Sequence, residues 1–166
     1  MRHDAEWKMV YNPHPPYEIL QNKLMDFTTL QKLRRFARYW DLVGNSGNFI
    51  ETTPLIWSES GGNPSASPFA SFMRWSEWLH AQAGRGDGIA LARLMEWLFE
   101  FLTDELKQEP RVAAVTLWRD YQRGGRKDKP SFLVEFLRTT PLEIASEPRM
   151  GPKRQSRHTS AALPST

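Results

Sequence analysis

The chain has 166 residues, 40% of them hydrophobic and 25% charged, which suits one domain with a real core. It has no cysteine, which removes disulfides, thiolate nucleophiles, cysteine-type zinc sites and iron–sulfur ligation by its own side chains. The net charge of +3 belongs to the tail, where Arg149, Lys153, Arg154 and Arg157 stand against Glu147, so the body is close to neutral. Seven Trp, nine Phe and four Tyr make 12% of the chain, enough for a few helices to be held together by ring contacts. No apolar run approaches the ~18 residues that a membrane span needs. The opening MRHDAEWKMVY is charged throughout and has no signal-peptide pattern. A cytoplasmic protein without a membrane partner is expected.

Residues 1–26 contain the cluster Asn12-Pro13-His14-Pro15-Pro16, which forbids regular helix and favours extended geometry. Tyr17 to Met25 can add a helical turn or two. This stretch reads as an extended arm that lies on a larger surface. A helical domain is expected over 27–138. Its first helix starts at Asp26, whose carboxylate can accept orphan amide hydrogens of the first turn. Leu30, Leu33, Ala37, Trp40 and Val43 recur at helical spacing and are expected to face inward. Lys32, Arg34, Arg35 and Arg38 make the same helix cationic, beside Phe36, Tyr39 and Trp40. Gly44-Asn45-Ser46-Gly47-Asn48 ends it in a turn.

A short helix with Pro54 in its first turn follows, and Ser58 to Ser65 is a loop. Ser67-Pro68 supplies the N-cap and first residue of the next helix, which carries Phe69, Phe72, Met73, Ser76 and Leu79 on one face with Trp75 and Trp78 flanking. Beyond the glycine-rich 84–88 break, Ile89 to Lys107 is the longest helical pattern. Leu91, Leu94, Met95, Leu98, Phe101 and Leu102 face inward, and Glu96, Glu100, Asp104 and Glu105 form an acidic edge. Glu109-Pro110 restarts the chain into a helix read on Val112, Val115, Trp118 and Tyr121, stopped by Gly124-Gly125. Pro130 to Arg138 offers one more apolar patch. From 139 to 166 Pro, Ser, Thr and basic residues dominate, and a disordered tail is expected. The fold class is all-α: a bundle of about four to five helices.

None of the chemistry-bearing groups converges on a reaction. His3, Asp4, Glu6 and His14 match no helical two-histidine spacing, so they read as surface residues near a terminus. His80 reads as a helix-end residue meeting the dipole. Gly44-Asn45-Ser46-Gly47 follows a helix, so it lacks the strand–turn–helix geometry of a nucleophile elbow. Gly84-Arg85-Gly86-Asp87-Gly88 lacks the lysine and the preceding strand of a phosphate loop. No catalytic, cofactor-binding or metal-binding residue is assigned. Arg34, Arg35 and Arg38, with Arg119, Arg123, Arg126, Lys127 and Lys129, could track phosphates, but neither a recognition helix nor an RNA motif accompanies them. A basic surface facing a protein accounts for the same residues.

The segments MVYNPHPPYEIL, LQKLRRFARYWDLVGNSGNF, SPFASFMRWSEWL and LWRDYQRGG together resemble the C-terminal region, of unknown function, of bacterial cobalamin-binding radical S-adenosylmethionine proteins. The resemblance covers about residues 1 to 137, and YWDLVGNSGNF and SPFASFMRW are its most specific parts. In that family a cobalamin-binding domain and a barrel come first, and the barrel's three-cysteine motif holds a [4Fe–4S] cluster. This chain carries neither the barrel nor the cysteines, so no catalytic residue transfers to it. The resemblance implies a non-catalytic accessory domain, or a fragment, packing on a radical S-adenosylmethionine and cobalamin-binding core supplied by the parent chain or the same operon. Candidate contact residues are Arg34, Arg35, Arg38, Trp40, Asn45, Asn48, Trp75 and Trp78. The alternative is a stand-alone helical nucleic-acid-binding module using the arginine-rich helix and the basic tail.

Overall fold

The computed structural model describes residues 4–58, 67–84 and 88–138. His3, most of the expected 58–65 loop, Arg85 to Asp87 and the expected disordered tail lie outside them. A one-turn helix α1 (Asp4–Trp7) leads into strands β1 (Val10–Tyr11) and β2 (Ile19–Gln21), which pair antiparallel with a bulge between Val10 and Tyr11. The expected helical turn over Tyr17 to Met25 is thus a strand followed by a turn. The prolines explain why. They break any helix before Tyr17, and the chain doubles back through them, so Asn12 N–H can bond to Glu18 O at 2.8 Å and Lys23 N–H to Trp7 O at 2.8 Å. Two strands cannot bury a core of their own, and β2 lies on the following helix.

That helix, α2 (Phe27–Val43), begins where expected: Asp26 Oδ1 accepts from Thr29 N–H at 2.7 Å. Its buried face keeps the expected Val43 but shifts toward Tyr39. Tyr39 and Val43 are buried and Phe36 and Trp40 half-buried, whereas Ala37 is exposed. Rings bury far more apolar area than one methyl group, so the helix turns Phe36 and Tyr39 toward its neighbour. Gly44 caps the helix with helical backbone angles, so its need is for space and not for freedom of rotation. A Cβ there would meet the Trp40 ring at 2.6 Å. The bare backbone lets Trp40 fold over the helix end, stacked on Trp57 with centroids 6.4 Å apart.

Pro54 stands in the first turn of a 3-10 helix, Thr53–Ile56, as expected. Helix α3 (Pro68–Ala83) starts on its expected cap, with Ser67 Oγ accepting from Ala70 N–H at 3.1 Å, and ends on Gly84 at φ 63°. Phe72, Trp75, Ser76 and Leu79 are buried, while Phe69, expected inward, is exposed. Trp75 is not a flanking residue. It has 0% exposure and packs edge-on to Tyr39 of α2, which ties the two helices together.

Helix α4 (Leu91–Glu100) runs directly into a π-helical turn, Phe101–Glu105, so the expected 89–107 helix starts later and widens at its end. The wider turn keeps Phe101 and Leu102 both buried, alongside Leu94, Met95, Trp97 and Leu98. Buried Gln108 then ties this end to the 3-10 segment, donating to Leu55 O at 2.9 Å and Ser58 Oγ at 3.1 Å.

Helix α5 (Pro110–Arg123) is capped by the Glu109 carboxylate. Its buried face keeps the expected Tyr121 but leaves out Val112. Ala113, Ala114, Leu117, Asp120 and Tyr121 are buried and Val112 is exposed. The two alanines are fully buried, and the larger valine goes to solvent. Helix α6 (Ser131–Leu137) closes the bundle on α5, with Leu133 buried and Phe132 and Phe136 against Phe99. The body is helical, as expected. One continuous core runs from Tyr39 to Leu133, and the hairpin is the addition to it.

Candidate functional site

The eight candidate contact residues do not form one surface. Arg34 is ion-paired with Glu18 at the foot of β2, Arg35 is half-buried and Arg38 exposed. Trp40 is half-buried among rings, edge-on to Phe72 with centroids 4.8 Å apart. The two asparagines shape their own turn: Asn45 Nδ2 donates to Asp41 Oδ1 at 2.7 Å, and Asn48 N–H donates to Ser46 Oγ at 3.2 Å. Trp75 has no surface to offer a partner. Trp78 is half-buried, with its ring 5.5 Å from that of Phe101.

The cations are largely engaged within the molecule. Lys32 pairs with Glu77 of α3 at 2.7 Å. The acidic edge of α4 finds its partners elsewhere than on α2: Glu96 pairs with Arg93, and Glu105 with Arg74 at 3.1 Å. Arg119 and Arg123 both reach Glu51, Arg126 lies over the Tyr121 ring and Lys129 over Trp118. Such exposed pairs add little stability, but they lower the positive potential available to a phosphate backbone.

The residues that sequence reasoning missed are of two kinds. The first is Asp120, 2% exposed, which gathers the start of the 3-10 segment. Its Oδ2 accepts from Thr52 N–H and Thr52 Oγ1–H, both at 2.8 Å, both oxygens lie 3.1 Å from Glu51 N, and Arg123 donates to Oδ1. The burial cost of this carboxylate is met by donors on every side. It is a structural clasp between the chain after α2 and the end of α5. The partners sit 68 and 69 positions away, so no local signal marks them.

The second kind is apolar and exposed. Among the described residues, Trp7, Val10, Tyr17, Ile19, Leu24 and Phe27 all fall between positions 7 and 27, against Ile50, Phe69 and Val112 in the rest. Leu24 is the most exposed of them at 73%. It is held there by a small rigid turn, in which Asn22 Oδ1 accepts from Leu24 N–H at 2.8 Å and Met25 N–H at 2.9 Å. Asp26 and Phe27 follow at once on α2. Asp26 is held below the usual carboxylate range by the Thr29 amide it caps. The signal for this turn was the Asn22 to Asp26 run, which the helical reading of Tyr17 to Met25 obscured.

Among the described residues no three His, Asp or Glu side chains group so as to hold a metal ion, and His14 is exposed on the hairpin connection. His80 Nδ1 lies 3.4 Å from Tyr39 Oη, where burial raises the phenol's pKa. No helix among the described residues is long and apolar enough to cross a membrane. A [4Fe–4S] cluster does not fit this chain, because it has no cysteine to ligate one. An apolar cleft of about 280 Å³ opens between Phe36, Trp40, Pro68 and Phe69. No curated protein and no solved structure matches the chain. A family model described as "Protein of unknown function (DUF4080)" matches residues 5–147, and the chain belongs to that family.

Proposed function

We propose that this is a non-catalytic accessory domain that docks on a catalytic core through its N-terminal hairpin and the start of α2. The observation that carries the reading is the concentration of exposed large apolar side chains between Trp7 and Phe27, beside a helical body whose own core is closed. Exposed apolar side chains that cluster mark interaction sites more often than the same residues scattered singly. The rigid Asn22 turn lowers the entropy lost when Leu24 is buried by a partner. The resemblance of YWDLVGNSGNF and SPFASFMRW to the C-terminal region of cobalamin-binding radical S-adenosylmethionine proteins supplies the class of partner. In that reading the cluster, S-adenosylmethionine and cobalamin belong to the partner. This chain contributes surface and no reacting group.

Anaerobic purification of the tagged chain from its native host tests the proposal, with iron and cobalamin assayed in the eluate. A stoichiometric partner carrying a three-cysteine motif and iron is the expected result. Recovery of the folded chain alone contradicts it, as does recovery with nucleic acid that leaves steeply as salt rises.

A further inference from the structure

We draw no further inference here: the strongest candidate, the apolar cleft between α2 and the first turn of α3 lined by Phe36, Trp40, Pro68 and Phe69, carries nothing because nothing in the structure shows what covers it.

Discussion

Asp120 has a buried carboxylate whose two oxygens face only donors: two backbone amides, a hydroxyl and a guanidinium. Asp120→Asn keeps the shape but turns one acceptor into a donor aimed at donors. The expected cost is roughly 2–3 kcal/mol, read as a lower urea midpoint at unchanged slope. An unchanged midpoint would show that the clasp contributes nothing. Glu100 presents the opposite case. Desolvation raises its pKa, opposed by Arg93 and reinforced by Glu96 and Asp104. A carboxyl whose folded pKa lies above its unfolded one loses stability as pH rises past the ordinary glutamate value of 4.5 and through the raised folded value. Glu100→Gln mimics the protonated form. Its melting temperature should match the parent's at pH 3 and exceed it at pH 7, and equal values at both would remove the argument.

For individual elements, most helix starts were legible. So were the α4 face through Leu94, Met95, Leu98, Phe101 and Leu102 and most of the α3 face, but the α2 and α5 faces were legible only in part. Asp26, Ser67-Pro68 and Glu109-Pro110 act through bonds to amides two or three residues away, so local chemistry states them in full. A buried face depends on what the neighbour offers. On α5 Val112 is exposed, whereas Ala113, Ala114, Leu117 and Tyr121 are buried. On α2 Tyr39 was not among the residues expected inward, yet it is fully buried, with its hydroxyl beside His80. The hairpin was illegible because strands of two and three residues carry no period. The revised α5 face can be tested directly. Val112→Ser should change stability by no more than about 0.5 kcal/mol, whereas Ala113→Leu should cost about 1–3 kcal/mol through overpacking. The reverse order in a melting series would restore the valine face.

Across the whole molecule, the helical body and the hairpin differ in kind. The body closes on itself around Trp75, Leu79, Leu98 and Leu117, with Lys32, Arg74, Arg93 and Arg123 matched to nearby carboxylates. The hairpin rests on α2 through β2 and the Glu18–Arg34 pair and leaves its apolar side chains to solvent. Sequence reasoning expected this segment to lie on a larger surface and placed the candidate contact residues mainly on α2 and α3. Counting cations and rings found Arg34 and Trp75. It could not show that the first is already paired and the second fully buried. No local signal marks Leu24 and Phe27, because exposure is a property of the folded chain.

The most direct test of the docking account compares the wild-type chain with the double variant Leu24→Asp, Phe27→Asp in anaerobic co-purification from the native host. The two side chains are 73% and 49% exposed, so the far-ultraviolet circular dichroism and the melting temperature should stay close to wild type. The account predicts that the iron-carrying partner is recovered with the wild type and lost, at least tenfold, with the variant. A folded variant that keeps its partner in full would show that the hairpin is not the docking surface.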